Sequence, residues 1–362
     1  MGPPMIFVPY KRSLPPSMTT HVARTIHSAR TTQVARLGAL ALALFPLGAT
    51  LPMAAQAGSQ ARAAVEVETA QPQQPWTQDL AAWRTHREQE LAARDGWLTL
   101  IGLEWLKPGV NTFGAAQDNQ IQIRAQAPAH IGMFTVSGKA AAGKAPSAPI
   151  VQLLSPSGGF PADLTIDGAP AREGPLVIND MKPSTIAWHG LTLVVLRRGD
   201  RFALRVKDAD SPTRTGFKGL NWYAPDPQFR VAAKWIPFTP ARIERIPTVI
   251  GTTLDLPAPG IAEFTLDGKT LQLEPVIEAG EGGTLFFILR DETSKTTTYG
   301  AARFLHTGLP DHGLDQPGQL VLDFNRLENP PCAYTPYATC PLPPEQNRLT
   351  VAIEAGERRY GH

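Results

Sequence analysis

The residues best suited to chemistry fall in the last third of the chain. Tyr299, Arg303, Asp323, Asn325, Asn329 and Asn347 bring a phenol, a guanidinium, a carboxylate and three amides into one stretch. Tyr299, Ala301 and Arg303 follow one another in steps of two, and so do Asp323 and Asn325. On extended strands that spacing puts each set on a single face. If the two strands pair, Arg303 lies near Asp323 and forms a bidentate ion pair. The expected result is a polar pocket floored by Tyr299, Arg303, Asp323 and Asn325, in which Arg303 takes an anionic or hydroxylated ligand and Asp323 orients it. The same residues fit a hydrolase with Asp323 as general base beside Tyr299 or Arg303, provided the carboxylate is held out of water. They also fit a purely architectural role, in which the side chains satisfy the buried backbone of an irregular loop.

The loop that must position these groups runs from Asn329 to Pro344. It carries six of the 35 prolines and both cysteines, Cys332 and Cys340. No helix or sheet interior tolerates that density of proline, so the segment is a stiff loop that walls the pocket. Asn329 enters it and Asn347 leaves it.

The other end of the chain is an address. Residues 1–57 contain Lys11, Arg12, Arg24, Arg30 and Arg36 and no acid. An apolar run from Leu37 to Leu47 follows, and Ala55-Gln56-Ala57 is a small-x-small cleavage site. The pattern predicts a signal peptide over 1–57, cleaved after Ala57, with Met18 an alternative start. The mature protein is then periplasmic or secreted, with no stable membrane span after cleavage, since Pro46 and Pro52 break a run already short for a bilayer. Removing the leader leaves 29 basic and 32 acidic residues, a net of −3. That balance offers no electrostatic case for nucleic acid. In an oxidising compartment, two cysteines eight apart across a stiff loop predict a disulfide. Free thiols, or metal or redox chemistry, are the alternatives, though His306 and His312 stand well upstream and no Cys-x-x-Cys spacing exists.

Stepping inward, residues 58–75 read as a disordered linker. An amphipathic helix follows, with Trp76, Leu80, Trp83 and Leu91 near one face and a stop at Asp95-Gly96. From Gly96 the period changes to two. Short apolar runs separated by turn residues recur through Trp97–Val206 and again from Val231 to Ile353, with Tyr299–Leu305 and Leu349–Ile353 among the expected strands. Phe264–Leu271 is a hairpin turning on Asp267-Gly268, and Arg198-Gly199-Asp200 marks another. The fold class is mainly β: two packed antiparallel β modules, sandwich or barrel, with one N-terminal helix. The first module with its helix spans 76–229 and the second, with the cysteine loop, 230–362.

Named motifs are mostly absent. Gly138–Ala145 approaches a phosphate loop but has Ala145 where a hydroxyl is needed, and Pro146 and Pro149 prevent the helix that should follow. It reads as a flexible surface loop. There is no Gly-x-Ser-x-Gly elbow, no His-Glu-x-x-His pair and no Cys-His array, so no cofactor and no metal is expected. Gly109–His130 resembles the opening of a forkhead-associated sandwich. Ala115 and Ala129 stand where that family has its arginines, so the resemblance implies a sandwich geometry without phosphopeptide binding.

A broader resemblance covers residues 80–357. Gly96-Trp97-Leu98, Phe113-Gly114, Thr298-Tyr299-Gly300, Leu322-Asp323-Phe324-Asn325, the segment Asn329-Pro-Pro-Cys-Ala…Cys340-Pro-Leu-Pro-Pro344, and Ala355-Gly356-Glu357 together resemble a bacterial and archaeal family catalogued only as a domain of unknown function. The resemblance implies that the cysteine–proline segment is a family hallmark, and it implies no activity. The reading is therefore an exported protein that binds a small molecule or envelope component through the C-terminal pocket. A hydrolase is the alternative, and an envelope structural or assembly factor acting through the stiff loop is the third.

Overall fold

The computed structural model describes residues 73–137, 150–179, 182–278, 280 and 283–361. The leader, the linker as far as residue 72 and the 138–149 loop lie outside the described residues. No helix among the described residues is long and apolar enough to cross a membrane.

The N-terminal helix runs Gln73–Ala92, so it takes in the last three residues of the segment read as linker. Its buried stripe differs from the expected one. Leu80, Arg87 and Leu91 are buried, while Trp76 and Trp83 sit half-buried at its border. The spacing of seven and then four keeps Leu80, Arg87 and Leu91 on one face. A charged residue in mid-stripe therefore needs a partner inside the protein. The helix docks by polar contacts as well: Glu88 accepts from the Leu220 N–H and the Trp222 indole N–H, each at 3.1 Å. Trp83 meets Trp222 edge-on with ring centroids 5.7 Å apart.

Beyond the helix the fold is a set of mainly antiparallel sheets, as the period of two predicts, and no barrel closes. A six-stranded sheet includes the Leu100–Trp105, Leu191–Arg198 and Arg201–Asp208 strands. A five-stranded sheet is built around Gly109–Gly114, Gly132–Ser137 and Ile150–Leu154. The two share one apolar core, in which Phe113 and Phe134 stack at 4.3 Å and Leu153, Ile186, Leu193 and Leu204 are fully buried.

A four-stranded antiparallel sheet follows, in the order Lys269–Leu273, Thr253–Leu266, Arg230–Pro247, Gly318–Asp323. Beside it lies a two-stranded ladder of Leu285–Leu289 with Arg303–Thr307. The Asp267-Gly268 hairpin forms as expected, both residues taking positive φ (50° and 71°) as a tight two-residue turn requires. The 230–247 strand is longer than expected and holds Pro237, Pro240 and Pro247. Beyond Trp235 it has lost its 318–323 neighbour, so prolines there remove no ladder bond on that side.

Two expected strands are corrected. Thr298–Ala302 is irregular and the strand begins only at Arg303, so Tyr299 and Arg303 do not share a strand face. Leu349–Ile353 is not a strand either. Its backbone bonds to Arg290, Glu292 and the Asp291 and Arg303 side chains instead of to a neighbouring ladder.

The proline loop is built into the protein. Of residues 329–344, Pro336 alone is exposed. The Thr335 hydroxyl donates to the Leu100 carbonyl at 2.9 Å, Arg198 Nε donates to the Thr339 hydroxyl at 3.2 Å, and Leu342 N–H donates to the Pro247 carbonyl at 2.7 Å. The loop thus bonds to strands of both large sheet assemblies at once.

Candidate functional site

A cleft of about 270 Å³ opens where the start of the N-terminal helix meets two strand edges. Its walls include Trp76 and Asp79 from the helix, Arg230 and Asp323 from paired strands, His306 and Gly308 at the end of the 303–307 strand, and Arg326. Asp323 is the predicted site residue that lies there. Its partner is not Arg303.

Asp323 ends its strand and caps a 3₁₀ turn over Phe324–Arg326. One carboxylate oxygen accepts from the Asn325 backbone N–H at 3.2 Å and from its Nδ2 at 3.1 Å. The other accepts from the Trp76 indole at 2.7 Å and faces Arg326 Nε at 3.6 Å. Arg326 in turn donates to Asp79. Opposite Asp323 in the ladder stands Arg230, exposed and lining the cleft, whose guanidinium makes no hydrogen bond or ion pair with any described residue. Nearby, Arg84 lies over the Trp222 ring at 4.8 Å, and its Nε and Nη2 are buried without a hydrogen-bond partner among the described residues. Burial lowers the Arg84 guanidinium below its usual pKa, against the opposing pull of the Asp323 carboxylate.

His306 forms the far wall. Its ring stacks on Phe286 at 4.5 Å, with Nε2 3.4 Å from Glu278 and Nδ1 3.5 Å from Glu328. Glu328 leads into a buried charge network. Arg87 Nε is 3.3 Å from Glu328 and donates to Glu357 at 2.9 Å, while its Nη2 donates to the Asn329 carbonyl at 3.0 Å. Tyr334 donates to Glu357 at 2.5 Å, and the Asn329 N–H donates to the same carboxylate at 2.8 Å. Burial raises the Glu357 carboxyl, with the Glu328 carboxylate adding to the shift and Arg87 opposing it, and burial raises Tyr334 well above the phenol range. Burial opposes the charge on Arg87, yet Glu328 and Glu357 outweigh it and hold the guanidinium charged. Gly356 makes the geometry possible. It has φ +78°, and a Cβ there would come within 2.5 Å of the Leu327 carbonyl oxygen.

The remaining predicted site residues are placed elsewhere. Arg303 is buried and paired with Asp291 at 2.7 Å, donating also to the carbonyls of Ile353 at 2.8 Å and of Ala355. The 303–307 strand pairs with 285–289 and not with 318–323, which is why the expected Arg303–Asp323 ion pair does not form. Tyr299 donates to the Cys332 carbonyl at 3.2 Å. Asn325 clasps the Asp226 backbone through its N–H at 2.9 Å and its carbonyl at 2.8 Å. Asn347 bonds the Glu274 backbone N–H and carbonyl and the Ile288 carbonyl. Asn329 Nδ2 donates to the Arg358 carbonyl at 2.8 Å. These asparagines satisfy irregular backbone, as the architectural reading expected of them. Cys332 and Cys340 are thiols in contact: the Cys332 N–H donates to Cys340 Sγ at 3.2 Å, and no bond joins the sulfurs. A hydrogen bond from Cys340 lowers the Cys332 thiol pKa, and burial raises that of Cys340. Among the described residues no group of three or more His, Cys, Asp or Glu is arranged to hold a metal ion.

Trp76, Arg230, His306 and Arg326 were not among the site residues expected from sequence. Arg326 carried a local signal, standing three residues after Asp323. Arg230 and His306 carried none, because strand register and edge placement decide them.

Comparison with known proteins gives little chemistry. The model of the family described as Protein of unknown function (DUF1684) matches residues 215–358. An uncharacterized protein of Haloarcula marismortui, solved by solution NMR, is 34% identical over 41% of this chain and 80% of its own, with a TM-score of 0.35. No curated protein matches.

Proposed function

We propose that this chain, which belongs to the family described as Protein of unknown function (DUF1684), binds a small anionic ligand in the cleft beside Asp323. The observation that carries the reading is Arg230, a guanidinium lining a cleft with no partner among the described residues. Arg84 adds spare buried donors close by. An anion bound in the cleft would satisfy Arg230, and guanidinium donors suit carboxylate or phosphate. Asp323 then acts as expected in one respect, as an orienting group: its two oxygens already accept from Asn325 and Trp76 and face Arg326. A carboxylate so occupied is poorly placed to take a proton from water. Tyr299 and Arg303 do not line the cleft. Both facts favour binding over hydrolysis. The buried proline loop likewise offers little surface for the assembly role.

The test is a thermal-shift series with glutarate, succinate and inorganic phosphate. At about a hundred times its Kd, a ligand adds about 2.7 kcal/mol to the unfolding free energy. Arg230→Ala is expected to abolish that stabilisation while leaving the ligand-free melting temperature nearly unchanged, because the side chain is exposed. Stabilisation that persists in the variant, or that no probe produces, removes the reading.

The leader supports export of the mature chain, with cleavage after Ala57, to a periplasmic or secreted location. Two thiols that already share a hydrogen bond then close into a disulfide on oxidation. Chain recovered from such a compartment is expected to be lighter by two hydrogens. Cys332→Ser should lower its unfolding free energy by about 2–3 kcal/mol under oxidising conditions and much less under reducing ones. An equal loss in both conditions would assign the effect to packing.

A further inference from the structure

Two strand edges face the cleft, and both carry main-chain groups directed into it. On one side, Phe304 exchanges two backbone hydrogen bonds with Glu328, each 2.9 Å, away from its 285–289 partner. Along an antiparallel strand alternate residues direct their N–H and C=O the same way. His306 therefore presents its own on the side that Glu328 occupies at Phe304, and beyond the strand's end at Thr307 the Gly308 carbonyl accepts from the Thr307 hydroxyl at 2.9 Å. On the other side, Gln319 bonds Asp311 through its N–H at 2.8 Å and its carbonyl at 3.0 Å, away from the 230–247 strand. By the same alternation Val321 directs its main-chain groups toward the cleft. Outside the ladders, no described residue bonds the backbone of His306 or Val321.

The chain itself shows what the slot accepts. After Asp323 it turns through Phe324–Arg326 and lays Glu328 beside Phe304 as a single antiparallel bridge. Glu328 fills the first rung, and the next rung, at His306, opens on the cleft, which Gly308 also lines. An unpaired edge of this kind is a template for an added strand. Its surroundings select the strand's charge. Arg230 and Arg326 line the slot and Arg84 stands close to Asp323, while Asp323 and Asp79 are already engaged by Trp76 and Arg326. Trp76 and Val321 add half-buried and exposed apolar surface for a neighbouring side chain.

We propose that the ligand of this cleft is a short extended peptide bearing a carboxylate, which adds as a strand alongside His306–Gly308 and places its acidic group on Arg230. The inference rests on the anion-site reading above and narrows it to a peptide. A volume of about 270 Å³, just below the usual range of small-ligand pockets, limits the enclosed part of the peptide to one or two residues.

Isothermal titration of the protein with three probes tests it: acetylated Ala-Glu-Ala, the same peptide N-methylated at its central amide, and glutarate, which has carboxylates and no amide. The tripeptide is expected to bind roughly tenfold tighter than glutarate, and N-methylation to remove most of that gain. Hydrogen exchange is expected to slow at the His306 and Val321 amides when the tripeptide is bound. Equal affinity for tripeptide and glutarate, both lost in Arg230→Ala, overturns the peptide inference and leaves the anion site standing. Binding of neither probe overturns both.

Discussion

Replacing Arg87 by methionine is expected to remove about 3–5 kcal/mol from the unfolding free energy, measured by urea denaturation. The guanidinium is buried and is the cation facing both Glu328 and Glu357 within the network. Methionine fills much of the same space and leaves two buried carboxylates to repel one another, together with an unmet Asn329 carbonyl. Lysine is not an adequate substitute, since one ammonium cannot reproduce the forked contacts to Glu357 and Asn329. Two further measurements separate charge from packing. Adding Glu357→Gln to Arg87→Met should recover part of the loss, because it removes one of the uncompensated charges. The deficit should also depend on pH. Burial already raises the Glu357 pKa, and a carboxyl raised in the folded state supports stability below its unfolded value and loses that support as pH rises through the folded one. The deficit of Arg87→Met is therefore expected to grow from the ordinary glutamate range upward. A pH-independent deficit that Glu357→Gln does not relieve would mean that packing alone is at work.

Arg303→Met is expected to cost a similar amount, about 3–5 kcal/mol, for a different structural reason. Arg303 and Asp291 are buried together, with side chains 1% and 0% exposed. Asp291 also accepts from the Thr293 backbone at 2.8 Å and its hydroxyl at 2.6 Å. The guanidinium carries this anchor to the Ile353 and Ala355 carbonyls, which no strand satisfies. Hydrogen exchange should accordingly rise first across residues 349–357, and that segment also presents Glu357 to Arg87. Uniform exchange changes across the fold, with the 349–357 segment no faster than the rest, would show that Arg303 does not secure it. Since whole domains are stable by only about 5–15 kcal/mol, either change should be plain in a denaturation curve.

Both residues bear on how much was legible in the sequence. Arg303 stood out because a lone arginine in a strand-like run must find an anion, and it does. Its partner was misassigned to Asp323 because the sequence does not say which strands pair. Arg87 was overlooked on a helix read for its tryptophans, although its place seven residues after Leu80 and four before Leu91 puts it on the buried stripe. The proline loop was correctly read as irregular, and its burial was not foreseen. Prolines lack N–H groups that would need partners, so a proline-rich segment can be buried with few bonds. Asn329 and Asn347 were expected at a ligand and instead serve backbone groups, since an amide side chain that mimics a peptide suits either task.

Local chemistry is what the chain determined alone. The period of two, the Asp267-Gly268 turn, the N-terminal helix and the irregular backbone of the cysteine segment follow from torsional preferences and side-chain alternation within a few residues. The cleft required the folded protein. Strand order set Arg230 across from Asp323, left two edges facing each other and brought Trp76 from the far N-terminal helix onto the same carboxylate. Those contacts join residues up to 247 positions apart. They depend on which sheets bury which faces, a choice governed by the packing of whole layers and not by any one segment.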